Sequence, residues 1–270
     1  MTNIFNQYPD LTVHPTTIRA MKFESAHRAA IAFGQNIFRP AGGGQPHDLG
    51  TITIGNETSN VLNVVKEGGE TWVIVDRTRV GNVEIGNMAL LEVDAPRRAA
   101  LSRSHSLTHL MMAAARHVLA DFDSKGALIA DDGVTVSVKF KTSTSVTDEL
   151  MASVDCLTRH FVLRNASISV VSAKSVADAA GRFRHWRVDS DLGLTGKIRV
   201  VEIAGIDANP CSGSHVKSTG EIGPFEFTKW TQSKDMEVQI SARRTPTWMY
   251  WFGDEHLRVS SHVDLSAFAD

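Results

Sequence analysis

His105-Ser-Leu-Thr-His109 is the stretch of this 270-residue sequence on which both the fold and the chemistry depend. In a helix, residues four apart lie one turn above each other on the same face, so the two imidazoles could bind one metal ion. A helix is expected because apolar residues recur at three- and four-residue spacing in and beyond this stretch: Leu107, Leu110, Met111, Ala114, Val118 and Leu119. Asp94, followed by Ala-Pro, predicts its start. We expect the helix to run to about Asp123 and to end at Gly126.

A second pair of possible ligands lies about a hundred residues further along, in Cys211-Ser-Gly-Ser-His215. With His105 and His109, it offers three neutral imidazoles and one thiolate, a tetrahedral donor set that suits zinc. We therefore expect one Zn²⁺ per chain. A catalytic zinc usually keeps one coordination position open, whereas four protein ligands close a structural site. The spacing leaves both roles open.

The composition indicates a globular, intracellular protein. Apolar residues make up 42% and charged residues 21% of the chain, so a sizeable core is expected. Only two cysteines are present, which excludes a disulfide framework and makes a reducing cytoplasm the natural compartment. The apolar runs are too short to span a bilayer, and the N-terminus has no basic start followed by an apolar stretch. We expect a cytoplasmic protein without membrane contact.

The formal net charge of −2 argues against nucleic-acid binding by global attraction. Any such binding must come from local patches, for which there are three candidates: Arg97-Arg98 with Arg103, residues 182–187, and Arg243-Arg244. The alternative for each patch is an ordinary solvated surface.

Residues 1–93 are expected to form a small β-barrel or sandwich. Short apolar runs alternate there with turns rich in Gly and Asn, and strands are expected at 29–33, 51–54, 60–65 and 71–75. Between the first two of these strands lies Gly42-Gly-Gly-Gln45. Three successive glycines allow a sharp bend or a close approach to a ligand, and they hold Gln45 on a tight loop. The alternative is an ordinary connection between strands.

Residues 94–270 are expected to form an α+β domain with an antiparallel sheet. A second helix is predicted over 145–165, a short helix or turn over 174–181, and strands at 133–140, 166–171, 197–203 and 236–240. Asp207-Ala-Asn-Pro210 is expected to break the chain before Cys211. Cys156 is expected to be a small buried apolar residue. The aromatic residues of the C-terminal tail are expected to dock onto the domain: Trp248, Tyr250, Trp251 and Phe252.

Several other enzyme classes are excluded because their characteristic motifs are absent from the sequence. His105 is followed by Ser rather than Glu, so the metalloprotease motif is absent. The His-x-Glu and Cys-x-x-Cys pairs of the zinc deaminases are also missing at the two half-sites. The three glycines have the wrong spacing for a Walker loop or a dinucleotide fingerprint.

Four stretches together resemble a known family. They are Gly42-Gly-Gly-Gln45 with Asp48 and Gly50, then His105-x-x-x-His109, then Cys211-x-x-x-His215, and then Thr219-Gly-Glu-Ile-Gly223. In this order they resemble the editing domain of alanyl-tRNA synthetase and its freestanding relatives, the AlaX proteins. The resemblance spans roughly residues 35 to 240.

The resemblance implies a fold and an activity. Family members have a small N-terminal β-barrel with the glycine-rich loop, followed by an α+β domain with the zinc. They hydrolyse the ester of a wrong amino acid, typically serine and sometimes glycine, on tRNA for alanine. The partner implied here is thus mischarged tRNA(Ala), while a monomer and a homodimer both remain open.

The resemblance also implies roles for individual residues. It makes His105, His109, Cys211 and His215 the zinc ligands, and it places Gly43, Gly44 and Gln45 at the border of the pocket. Ser106 matches a position at which the family usually has a threonine near the amino-acid side chain. We therefore expect Gln45 and Ser106 to act in catalysis. The hydroxyl and amide groups expected to bind the substrate belong to Gln45, Ser106, Thr108 and Ser214, since selecting serine over alanine requires hydrogen bonds to a hydroxyl.

The sequence departs from the family pattern at three serines. The family usually has Cys-Gly-Gly-Thr-His, whereas this chain has Ser212 and Ser214 in that motif, and Ser106 replaces the threonine of His-Thr-x-x-His. These changes leave the amino acid that is removed open. Two alternatives also stay open: a zinc-dependent hydrolase of a small ester or amide, and a non-enzymatic module that the zinc only stabilises.

Overall fold

A computed structural model describes residues 2–81, 83–119, 121–186 and 194–245. By its internal contacts the chain divides into a first unit that ends at Ala100 and a second that begins at Leu101. The expected docking of the aromatic tail concerns residues outside these described ranges. We propose that the domain boundary lies between residues 93 and 94, where a strand gives way to a helix.

The first unit is a closed barrel, as expected from the sequence. It contains strands β1 (Thr2–Asn3), β2 (Val13–Phe23), β3 (Arg28–Phe33), β4 (Gln35–Asn36), β5 (Gly50–Ile54), β6 (Glu57–Glu67), β7 (Glu70–Asp76) and β8 (Met88–Val93). Six of them close the barrel in the order β2-β3-β7-β6-β5-β8, with every neighbouring pair antiparallel. The short strands β1 and β4 form a separate parallel pair.

The interior of the barrel is apolar because alternate residues of its strands point inward. Ile18, Ile31, Phe33, Ile52 and Leu91 are among its fully buried side chains. The four strands expected from the sequence are present. Strands β2 and β8 were not predicted.

The second unit is α+β, which confirms the expected fold class. Its helices are α1 (Ala95–Val118, whose first turns belong to the first unit), α2 (Asp148–Leu163) and α3 (Val176–Arg182). Its strands are β9 (Asp123–Ile129), β10 (Thr135–Lys141), β11 (Ile168–Ala173), β12 (Ile198–Ile203), β13 (Asp207–Pro210), β14 (Phe225–Gln232) and β15 (Glu237–Arg244). In the described residues they form two antiparallel sheets, β14-β15-β10-β9 and β11-β12-β13.

Helix α1 carries the first two predicted ligands and packs its apolar stripe into the core of the second unit. The Asp94 carboxylate accepts a hydrogen bond from the Arg97 N–H at 2.9 Å, which confirms the predicted cap. Leu107, Leu110 and Met111 are fully buried. In none of the described helices is there a stretch long and apolar enough to cross a membrane.

The predicted end of α1 was wrong. The helix ends at Val118, and Gly126, expected to end it, lies inside strand β9 with a φ of 110°. The cause is Asp121, whose carboxylate accepts hydrogen bonds from the Thr142 hydroxyl at 2.8 Å and the Ser143 N–H at 2.7 Å. These bonds tie the chain to the residues after β10, which is incompatible with another helical turn.

The predicted break before Cys211 was also wrong. Asp207–Pro210 is strand β13, which pairs with β12 from Ile203↔Asp207 to Val200↔Pro210. Pro210 is tolerated because β13 is an edge strand of its sheet and proline can lie where no ladder hydrogen bond is required. The resulting hairpin delivers Cys211 directly from the end of a strand.

Candidate metal centre

Helix α1 and the loop after β13 bring the four predicted metal ligands together. The donor atoms of His105, His109, Cys211 and His215 all lie within 4.8 Å of one another. The two histidines of α1 share a face because they are four residues apart. The β12–β13 hairpin presents the other two residues to that face. This cluster could hold a metal ion.

The distances in the cluster fit a tetrahedral ion. The Cys211 Sγ lies 3.5 Å from His105 Nε2 and 3.3 Å from His215 Nε2. A zinc ion with ordinary bonds of about 2.0–2.1 Å to nitrogen and about 2.3 Å to sulfur would hold such atoms about 3.3–3.6 Å apart. These two sulfur–nitrogen distances therefore match those around a tetrahedral ion.

The electrostatics of the cluster favour the thiolate form of Cys211. Burial alone would raise the pKa of the thiol, but the neighbouring His105 and His215 lower it well below its usual range. Burial also acts to lower the pKa of His109, but the neighbouring Asp207 and Cys211 outweigh it and raise that pKa to about 10. The site therefore stabilises the thiolate, which is the form of cysteine that binds a metal.

Ser106 holds His215 rather than facing open space. Its hydroxyl lies 3.0 Å from the Ser102 carbonyl, 3.3 Å from the Val216 N–H and 3.1 Å from His215 Nδ1. A hydroxyl has one proton and two lone pairs, so it donates to the carbonyl and accepts from the two nitrogens. His215 then carries its proton on Nδ1, which leaves Nε2 for the metal.

This placement bears on the predicted catalytic role of Ser106. The residue has no solvent-exposed surface, and three protein partners satisfy the hydrogen-bonding capacity of its hydroxyl. We propose that Ser106 orients a ligand instead of contacting the amino-acid side chain of a substrate.

Asp207 is a buried residue beside the four donors that the sequence pattern did not reveal. Its carboxylate is 2% exposed, with Oδ2 3.6 Å from His109 Nδ1 and Oδ1 3.6 Å from Arg116 Nη1. The side-chain amide of Asn209 donates a third contact to it. A carboxylate behind a metal-binding imidazole fixes the orientation of the ring. The signal in the sequence is an acidic residue four positions before Cys211, in the segment predicted to break the strand.

Gly213 allows the loop to close over His105. A Cβ atom added at this position would lie 1.9 Å from His105 Cε1 and 2.1 Å from His105 Nδ1, so no other residue fits without movement of the ring or the loop. The N–H of Gly213 also donates to the Cys211 sulfur at 3.3 Å. On the other side, Arg199 Nη1 donates to the Cys211 carbonyl at 2.5 Å. Cys211 is therefore held by the backbone of Gly213 on one side and by the side chain of Arg199 on the other.

Thr108 and Ser214, the other predicted substrate-binding residues of the second unit, are also nearly buried. Thr108 donates its hydroxyl proton to the carbonyl of His105 at 2.7 Å, within the helix. Ser214 accepts a hydrogen bond from Ser102 at 2.8 Å. Contact of either residue with a substrate stays a prediction.

The predicted glycine-rich loop lies in the first unit. Gly43 and Gly44 have φ values of 59° and 75°, a conformation that favours glycine, and Gly42 and Gln45 exchange backbone hydrogen bonds at 3.0 and 3.2 Å across the turn. Gln45 is 2% exposed. Its catalytic and substrate-binding roles stay predictions.

Asp48 anchors this loop. Its carboxylate accepts from the Arg39 N–H at 2.6 Å and from the Arg98 guanidinium at 2.5 and 3.2 Å. Arg39 in turn donates to the Gly42 carbonyl at 2.7 Å. The aspartate that accompanied the glycines in the motif thus has a structural part in shaping the loop.

The last motif, at Thr219, also supports structure. Thr219–Ile222 forms a single 3₁₀ turn that docks on the end of α2. The Thr219 hydroxyl donates to the Phe161 carbonyl at 2.7 Å and accepts from the Ala166 N–H at 2.9 Å. At Gly220 a Cβ would come within 2.5 Å of the Asn165 side-chain oxygen, which explains the glycine.

Comparison with known proteins identifies the same region. Residues 198–240 match the family described as the threonyl and alanyl tRNA synthetase second additional domain. This segment includes Cys211 and His215, and it extends from β12 into β15.

Longer similarities are to alanine–tRNA ligases. The chain is 30% identical over 218 residues to the one from Methanobrevibacter smithii, which covers 78% of this chain and 23% of that protein. It is 31% identical over 242 residues to the one from Methanothermobacter thermautotrophicus. This match covers 88% of this chain and 26% of that protein. The match to the Salinispora tropica ligase is 29% identical over 276 residues and covers 97% and 30%. The resemblance predicted from the four motifs is confirmed, and the chain spans about a quarter of the length of the relatives it matches.

Proposed function

We propose that this chain is a zinc-dependent aminoacyl-tRNA deacylase. Residues 198–240 match the threonyl and alanyl tRNA synthetase second additional domain, and most of the chain is similar to alanine–tRNA ligases. Its substrate would be tRNA(Ala) mischarged with serine, or with glycine, and it would act in trans in the cytoplasm. The main support is the cluster of one cysteine and three histidines, whose donor atoms all lie within 4.8 Å of one another.

The donor set matches zinc better than other common ions. Imidazole and thiolate together suit zinc, whereas magnesium and calcium prefer oxygen ligands. When bound, zinc would polarise a carbonyl or lower the pKa of a water molecule. His105, His109, Cys211 and His215 would hold it.

The protein contributes orientation to this chemistry. Ser106 and Asp207 face the Nδ1 atoms of two of the imidazoles, so these rings turn their Nε2 atoms to the centre. An aminoacyl ester is already activated, so a held carbonyl and a positioned water are enough for hydrolysis. The substrate-binding roles of Gln45 and of Ser214 stay proposals that rest on the family resemblance alone.

One observation favours a second function. Four protein ligands close a tetrahedral site, and such sites usually stabilise a fold without reacting. A non-enzymatic binding module that the zinc only stabilises is therefore the rival proposal. A hydrolase of a small ester or amide is a third proposal, which the net charge of −2 allows.

Deacylation of charged tRNA separates these proposals. Purified zinc-loaded protein is incubated with Ser-, Gly- and Ala-tRNA(Ala) and with Thr-tRNA, alongside serine methyl ester. We expect rapid loss of serine, while alanine stays attached. Cys211→Ala should lower the rate more than about 100-fold, the upper range for loss of an outer-shell partner alone. The matched control is Cys156→Ala, which changes the second cysteine of the chain. This residue lies on α2, and its substitution should leave the rate unchanged.

The outcomes discriminate clearly. No turnover of any charged tRNA by protein that holds one zinc per chain would support the structural role. Hydrolysis of the methyl ester with no preference for tRNA would support the small-ester hydrolase.

A further inference from the structure

A cleft of about 590 Å³ in the second unit gathers three arginines that the proposed chemistry does not use. Arg103 enters it from α1, and Arg243 and Arg244 enter it from the end of β15. In the sequence these residues belong to two separate basic patches. The fold therefore creates one basic site from residues 140 positions apart.

Arg244 is held in place within this cleft. Its Nε donates to the Ser104 hydroxyl at 3.0 Å, and its Nη1 lies 3.4 Å from the Ile222 carbonyl. Burial and the like charge of Arg103 lower the pKa of Arg244 to about 10, so the guanidinium stays positive at neutral pH in an environment that disfavours its charge. An anion in the cleft would relieve both effects.

Two carboxylates also line the cleft, and they limit its positive charge. Glu221 is occupied, because its carboxylate accepts from the Ser218 N–H at 3.1 Å and the Ser218 hydroxyl at 3.4 Å. Glu226 lies opposite Arg243 in the β14–β15 ladder. Asp132 also interacts electrostatically with Arg243. Its carboxylate accepts hydrogen bonds from the N–H groups of Val134 and Thr135. Three arginines against the two lining glutamates leave one net positive charge.

The chemistry of the cleft fits phosphate groups. A guanidinium presents planar, paired donors that match phosphate oxygens, and arginine is the residue most used for this purpose. Arg103 and Arg243 are exposed at the cleft, so they can reach an extended polyanion. In α1, Arg103 lies two positions before the predicted ligand His105, about 3 Å away along the helix axis.

We propose that this arginine cleft, formed by Arg103, Arg243 and Arg244, binds the phosphodiester backbone of the RNA whose 3′ end enters the metal centre. This inference rests on the proposed function. It also explains how a chain with a net charge of −2 could hold RNA, since the attraction is local.

The test measures binding of uncharged tRNA(Ala) transcript by fluorescence anisotropy over a range of salt concentrations. Each phosphate contact contributes a slope of about 0.7–0.9 in log K against log salt, which amounts to about five- to eightfold in affinity at 0.1 M salt. Arg103→Gln and Arg243→Gln should each weaken tRNA binding by about this factor. Each should also reduce the slope of log K against log salt by nearly one. Glu226→Gln should bind more tightly. Lys174→Gln, which removes an exposed charge beside the other sheet, is the matched control and should match the wild type.

Hydrolysis of a seryl ester of adenosine distinguishes a failure of the cleft from a failure of the proposed function. The arginine variants should keep this activity, because the short substrate lacks the backbone that the cleft would bind. If both arginine variants bound tRNA with the affinity and salt slope of the wild type, the proposed role of the arginine cleft would be overturned. A wild type that neither binds tRNA nor hydrolyses the short ester would instead overturn the function.

Discussion

At the scale of single residues, Asp207 and His109 form the most informative pair. The carboxylate lies buried behind the Nδ1 atom of the ring, 3.6 Å away. Removing its charge with Asp207→Asn should loosen the ring and weaken zinc binding by about 10- to 100-fold, the usual effect of an outer-shell partner. Competition with a chromophoric chelator measures the dissociation constant.

Glu202→Gln is the matched control, since Glu202 lies on the neighbouring strand β12 and contacts only Ser169 among the bonds described. It should leave the zinc affinity unchanged. If Asp207→Asn lowered the melting temperature of the metal-free protein but left the zinc affinity at the wild-type value, Asp207 would have a structural role alone.

At the scale of elements, the loop that ends α1 depends on the charge of Asp121. Its hydrogen bonds with Ser143 and Thr142 lower the pKa of the carboxyl from 3.8 to about 2. A carboxyl with a depressed folded-state pKa contributes stability above its unfolded pKa and loses it as the pH falls through the folded value. Asp121→Asn should therefore be less stable than the wild type at pH 5–7, and the difference should vanish between about pH 4 and pH 2.

Denaturant unfolding at a series of pH values measures this window. The matched control is Asp235→Asn, an exposed carboxylate in the turn between β14 and β15, which should show no comparable window. A difference between Asp121→Asn and the wild type that stayed constant down to pH 2 would show that shape rather than charge supports the loop.

The elements differ in how far the sequence could predict them. The stripe of α1 and its cap at Asp94 were readable because helix periodicity and capping are local properties. The end of α1 was not, because the hydrogen bonds that stop it come from residues 142–144, more than twenty positions away. Strand β13 was hidden for a similar reason, since a proline at an edge strand looks like a break until its partner is known. The four donors were found from spacing, whereas the supporting roles of Ser106, Asp207 and Gly213 depend on side chains that meet only in the folded chain.

At the scale of the whole molecule, the two units have separate hydrophobic cores, and the metal centre belongs to the second. A ligand stabilises what it binds by mass action, by about 4 kcal/mol when its free concentration is a thousand times its dissociation constant. Removal of zinc by a chelator should therefore speed hydrogen exchange in α1 after Leu101 and in the β12–β13 hairpin. Strands β3 and β7 of the barrel should keep their protection.

Mass spectrometry of exchanged peptides checks this expectation, with Cys211→Ala as the variant on which the chelator should have no effect. Equal loss of protection in the barrel strands would mean that the two units unfold together and that the metal stabilises both.

The contact between Gly213 and the His105 ring has a consequence for how relatives of this chain are found. Of the two glycines usual in the family motif, the one at position 213 has no room for a side chain, whereas Ser212 is exposed and shows that its position accepts one. A search pattern of Cys-x-Gly-x-His with His-x-x-x-His upstream would follow this steric requirement. Such a pattern would retain divergent proteins that a strict Cys-Gly-Gly-Thr-His pattern discards, and this chain is one of them.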